Sequence, residues 1–150
     1  MVEIYVDADA CPVKDEVLKV AGRHKLTVHI VSNQWMRLPD APWIKKIVVP
    51  EGPDAADDWI AEQITERDIA VTADIPLAAR CLKKGAAVIN MNGKPFTEDG
   101  IGMALAMRDL MRDLRDTGEI TGGNAPFSKL DRSAFLQSLE NAVQAAKRNG

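Results

Sequence analysis

Short β-branched apolar runs that alternate with amphipathic helical patterns constrain this chain more than any other feature of its sequence. The first run, Val2–Val6, is followed by Pro12 and by Val13, Val17, Leu18 and Ala21 at helical spacing, ending near Gly22, which reads as a strand and then a helix. The alternation recurs. Leu26–Val31 and Ile44–Val49 read as strands, Asp54–Ile64 as a helix, Ile69–Thr72 as a strand, Pro76–Lys84 as a helix and Ala86–Asn90 as a fifth strand. Strands that alternate with helices predict an α/β fold with a parallel sheet covered on both faces.

After Asn90 the pattern changes. The turn-rich stretch MNGKPFTEDG precedes a helix over about Ile101–Thr117, with Met103, Met107, Leu110, Met111 and Leu114 on one face and Gly118 as its stop. A Gly-rich loop around Gly122 and Gly123 leads to a last helix over about Asp131–Arg148. With 150 residues, 46% hydrophobic, and no linker or repeat, one domain over 1–150 is expected, its last 50 residues a helical extension packed on the sheet.

The formal net charge of −3 gives no global pull toward nucleic acid or anionic membrane, so any nucleic-acid contact must be local. Cys11 and Cys81 have no paired spacing with each other or with His24 and His29, which argues against a zinc finger or a disulfide framework and fits a reducing cytoplasm. The start, MVEIYVDADA, has no basic segment and no long apolar run, so a soluble cytoplasmic protein without a membrane span is expected.

In open parallel sheets, ligands bind beyond the carboxyl ends of the strands, near the point where the winding reverses. The first strand ends in Asp7-Ala8-Asp9, the second runs into Ser32-Asn33-Gln34, and the fourth ends in Thr72-Ala73-Asp74. Asp54, Asp57 and Asp58 open the helix after the third strand; acids in a first turn also serve as caps favoured by the helix dipole. Asp7 directly follows buried β-branched residues, and a partly desolvated carboxylate needs a partner. No Lys or Arg lies within four residues of Asp7, Asp54 or Asp74, so a divalent cation is the expected partner. Carboxylates without His or Cys suit Mg²⁺ or Mn²⁺, and phosphate-ester chemistry follows as the leading reaction class.

Other readings stand beside this one. Cys11, before Pro12, sits at an expected helix N-cap but has no basic neighbour, so it reads as a small buried hydrophobe rather than a nucleophile. His24 and His29 read as surface and packing residues. Arg108, Arg112 and Arg115 could form a phosphate rail, or pair with the interleaved Asp109, Asp113 and Asp116 on a solvated face. The Gly122-Gly123 loop could bind anions through its amides or simply connect two helices. Neither GxxxxGK[ST] nor GxGxxG occurs.

The segments VDADACP, DAAD at 54–57, VTADIPLA at 71–78 and the later MRDLM…TGG…S..DR resemble the YaiI/YqxD family of uncharacterised bacterial proteins, a branch of the PIN-like superfamily. The resemblance spans Val6 to about Phe135. It implies a three-layer α/β/α fold with a five-stranded parallel sheet in the order 3-2-1-4-5, which sets Asp7 beside Asp74. By position it implies a Mg²⁺ or Mn²⁺ site of Asp7, Asp54 or Asp57, and Asp74, with Asp9 and Asp58 as further candidates. The function it implies is a metal-dependent nuclease acting on RNA, with Asp7, Asp57 and Asp74 catalytic and Asn33, Thr72, Arg108 and Arg112 on substrate or water. A homo-oligomer is compatible with this reading. VDADACP also resembles the haloacid-dehalogenase phosphatases, with Asp7 as nucleophile and Asp9 as acid/base. A non-catalytic RNA- or protein-binding module with structural acids is the remaining alternative.

Overall fold

The computed structural model describes residues 2–9, 11–50, 52, 54–116 and 128–149; within these, the side chains of 111–116 and 149 are not described. The strands are β1 (Glu3–Asp7), β2 (Thr27–Ser32), β3 (Ile44–Val48), β4 (Ile69–Val71), β5 (Ala87–Ile89) and β6 (Pro95–Phe96). The helices are α1 (Lys14–His24), α2 (Ala55–Gln63), α3 (Ile75–Lys83), α4 (Glu98–Asp116) and α5 (Lys129–Asn149).

The strands form one sheet in the order β3-β2-β1-β4-β5-β6. The first five are parallel and follow the expected order; β6 joins the edge antiparallel to β5. The five-stranded expectation is therefore corrected to six. Pro95 has no N–H to give a ladder and two residues make no periodic signal, but an edge strand tolerates both. The hairpin before β6 turns at Gly93, where φ is 92° and an added Cβ would stand 2.7 Å from the Ala134 carbonyl oxygen.

Alternate residues of each strand supply opposite cores. Ile4, Val6, Val28, Ile30, Ile69 and Val71 pack with Val17 and Val20 of α1 and with Phe135, Leu139 and Val143 of α5. Tyr5, Val31, Ala70 and Val88 pack on the other side with Ile60 of α2 and with Leu77, Ala78 and Cys81 of α3. In α5, Phe135, Leu139 and Val143 recur every four residues and are all fully buried, so part of the C-terminal extension belongs to the core. The other part, α4, packs on α3.

Two helices begin earlier than their apolar stripes. Thr97 caps α4, its hydroxyl accepting from the Gly100 N–H at 3.0 Å. Ser128 and Asp131 form a reciprocal capping box at the start of α5. Gly118, expected to stop α4, and the Gly122-Gly123 loop lie outside the described residues. Among the described residues, no helix is long and apolar enough to cross a membrane.

Candidate functional site

The register of β1 against β4 pairs Val6 with Val71, so the next residues, Asp7 and Thr72, leave the sheet side by side. Thr72 is completely buried. Its hydroxyl donates to Asp7 Oδ2 at 3.0 Å and accepts from the Asp74 N–H at 2.9 Å, tying the two strand ends together. Asp74 caps α3, with Oδ1 accepting from the Leu77 N–H at 2.9 Å. Thr72 is thus a positioning residue held away from solvent.

Asp57, one turn into α2, completes the group. Its carboxyl is pushed up to about 7, chiefly by burial and then by the negative charges of Asp74, Asp7 and Asp54 in that order, against a small opposing effect of Arg80. Burial also raises Asp7; the Thr72 hydrogen bond opposes the rise, and Asp74 and Asp9 add to it. Mutual electrostatic influence of this kind requires proximity. Asp7 of β1, Asp57 of α2 and Asp74 of the β4–α3 turn therefore lie near enough to one another, beside the reversal point between β1 and β4, for their charges to interact.

The remaining candidates divide. Asp54 is the N-cap residue of α2 but is exposed and makes no side-chain cap bond; it reaches the group only through its charge on Asp57. Asp9 has partners of its own, although its charge still acts on Asp7: Oδ1 accepts from the Ser32 hydroxyl at 2.7 Å and Oδ2 from the Asn33 N–H at 3.2 Å. Asp58 pairs with Arg80 at 2.8 Å on the exposed side of α2 and α3. Asn33 meets Asp9 through its backbone. Arg108 lies 3.8 Å from Asp109, the ion-pair arrangement; the side chains of Arg112 and Arg115 lie outside the described residues.

Sequence reasoning missed Ser32 as the anchor of Asp9 and Arg80 as the partner of Asp58. Ser32 was visible as a polar residue at a strand end. Arg80 lies 22 residues from Asp58 and only the packing of α2 on α3 joins them.

The thiols are not nucleophiles in this setting. Both are buried; burial raises Cys11 and brings Cys81 up to about 11. The N-cap of α1 is Val13, not Cys11. His24 bonds Glu140 at 2.7 Å, and His29 bonds Glu3 at 2.7 Å while stacking on Tyr5 at 4.4 Å between ring centroids. Both histidines are held by packing and hydrogen bonds.

The donor chemistry suits a hard divalent cation. Among the described residues one oxygen of Asp7, one of Asp74 and both of Asp57 accept no hydrogen bond, and every donor is a carboxylate oxygen. As they stand, no three His, Cys, Asp or Glu side chains among the described residues are drawn into a metal-holding group. Unneutralised carboxylates repel, so ligation requires side-chain rotation toward the cation.

Residues 5–145 match the family described as uncharacterized BCR, YaiI/YqxD family. The chain belongs to the YaiI/YqxD family. It is 66% identical over 148 residues to the UPF0178 protein of Parvibaculum lavamentivorans, covering 99% of this chain and 97% of that relative. It is 62% identical over 147 residues to a UPF0178 protein of Rhodospirillum rubrum, covering 97% and 98%. To a UPF0178 protein of Paramagnetospirillum magneticum it is 62% identical over 148 residues, covering 99% and 98%. No solved structure matches the chain at a significant level.

Proposed function

We propose that this YaiI/YqxD protein is a PIN-like, Mg²⁺- or Mn²⁺-dependent nuclease that hydrolyses phosphodiester bonds, with RNA as substrate and the cytoplasm as its compartment. The observation that carries the reading is the convergence of Asp7, Asp57 and Asp74 from three separate segments at the carboxyl ends of β1 and β4, the position where open parallel sheets bind ligands.

Asp7, Asp57 and Asp74 would hold the cation. When bound, it would neutralise charge on the scissile phosphate and lower the pKa of water. Thr72 bonds the Asp7 side chain and the Asp74 backbone at once, so the two strand ends that carry these carboxylates are held together before substrate arrives. Asp74 spends one oxygen on the α3 cap and keeps the other for the cation. Asp9 and Asp58, with partners of their own, support the surrounding loop and helix rather than the reacting group. The two hydrogen bonds of Asp9 also count against its use as acid/base in a phosphatase.

The test measures Mn²⁺-dependent cleavage of single-stranded RNA together with the Mn²⁺-induced rise in melting temperature. Wild type should cleave slowly and gain stability with Mn²⁺ by mass action. Asp7→Asn should lose cleavage, and Asp7→Asn with Asp74→Asn should also lose the metal-induced rise. Intact RNA and an unmoved melting temperature in wild type would assign the acids to the scaffold.

A further inference from the structure

At the opposite end of the sheet, a cavity of about 390 Å³ opens between the start of β1, the end of α1 and the last turns of α5. Val2, Leu26 and Ala146 make its apolar floor, and His24, Lys25, Arg67 and Lys147 line it with positive or donor groups. Val2 and Leu26 immediately precede β1 and β2, and Arg67 precedes β4, whereas Asp7 and Thr72 lie at the far ends of their strands. A five-residue strand spans roughly 16 Å, so this cavity is separate from the carboxylate group.

Its charge is unbalanced. Among the described residues, Lys25 and Arg67 make no ion pair. Lys147 donates to His24 Nδ1 at 3.4 Å, and His24 Nε2 faces Glu140 at 2.7 Å. Glu140 is already shared with Arg23 and Gln144. Asp68, beside Arg67, is buried and accepts from Thr65 and from the Glu3 N–H. Glu66 lines the neighbouring cavity, not this one.

Lys25 adds an independent observation. It ends α1 in the left-handed region at φ 56°, the one non-glycine with positive φ among the described residues. Helices that end this way favour glycine or asparagine, so a lysine here carries conformational cost without a capping benefit from its side chain. The dipole ends of α1 and α5 favour cations on their last turns, but they do not account for Arg67, which lies outside both helices.

We propose that this cavity binds a phosphate monoester with a compact apolar group, the phosphate held by Lys25, Arg67 and Lys147 and the apolar part seated on Val2, Leu26 and Ala146. Its volume is that of a small-ligand site, and three cations match a dianion.

Titration calorimetry and amide chemical shifts with phenyl phosphate test this, with inorganic phosphate and benzoate as comparison arms. Phenyl phosphate should bind saturably at one site, at least tenfold tighter than either comparison ligand, and shift the amides of Lys25, Leu26 and Lys147. Arg67→Gln and Lys147→Gln should each weaken it about tenfold, while Asp7→Asn leaves it unchanged. Lys25→Gly should weaken binding equally yet melt no lower than wild type. Absent saturation, equal affinity for inorganic phosphate, unchanged binding in the variants, or a lower melting temperature for Lys25→Gly would each overturn the proposal.

Discussion

Asp57→Asn should stabilise the protein above neutral pH and leave it unchanged in acid. The carboxyl of Asp57 is raised from 3.8 to about 7 by burial and by Asp74, Asp7 and Asp54. A folded-state value above the unfolded one means that the native state holds the proton more tightly. Below about pH 4 both states are protonated and the group contributes nothing. Between about pH 4 and 7 the unfolded chain ionises while the native state does not, so stability falls as pH rises, and the loss is complete above 7. The full shift of roughly three pH units corresponds to at most about 4 kcal/mol. Asp57 is only half-buried, and solvent screening reduces this to about 1–2 kcal/mol. Asparagine keeps the shape and removes the charge. In chelator, at about pH 8, Asp57→Asn should gain that amount in urea unfolding followed by tryptophan fluorescence, or roughly 2–8 °C in melting temperature. At about pH 4 the gain should shrink to a few tenths of a kcal/mol. A variant no more stable than wild type at pH 8, or one with the same gain at both pH values, would refute the electrostatic reasoning.

Thr72→Val keeps the volume but removes the hydrogen bonds to Asp7 and from Asp74, and should cost about 1–3 kcal/mol in urea unfolding; an unchanged midpoint would show that neither bond matters. Gly93→Ala places a Cβ against the Ala134 carbonyl at positive φ and should lower stability by at least about 1 kcal/mol, measured by thermal unfolding, whereas a neutral result would mean that α5 moves aside freely.

The parallel sheet was legible because buried strands and amphipathic helices differ in period, and Val2–Val6 and Ile69–Thr72 carry the strand signal, whereas the strand order came only from the family resemblance. The edge was not. Pro95–Phe96 joins β5 because Gly93 permits a tight turn and α5 presses against it, a condition set by tertiary packing rather than by the hairpin's own pattern. The starts of α4 and α5 were legible but underweighted: Thr97 and Ser128 are cap residues ahead of the apolar stripes, and both act as caps.

The candidate acids show where local reasoning ends. Asp7 and Asp9 are two residues apart at one strand end, and Asp57 and Asp58 are adjacent in one helical turn, so residue type alone does not separate the members of either pair. What separates them is the donor that each meets. Asp9 meets the Ser32 hydroxyl, Asp58 meets Arg80, and each has its charge answered by a segment that only the fold brings near. Asp7 and Asp74 each accept one hydrogen bond and keep one oxygen without a donor, and the strongest effects on Asp57 are burial and the negative charge of the other two. A group that accumulates like charge in a half-buried setting lowers stability unless something binds there, and evolution retains such a cost chiefly where binding repays it. The same logic holds at the other end of the sheet, where Lys25 keeps an unfavourable backbone conformation on the wall of a cation-lined cavity. Charge clusters of opposite sign thus stand at opposite ends of the same parallel strands, and the two proposals assign to each a ligand of the opposite charge.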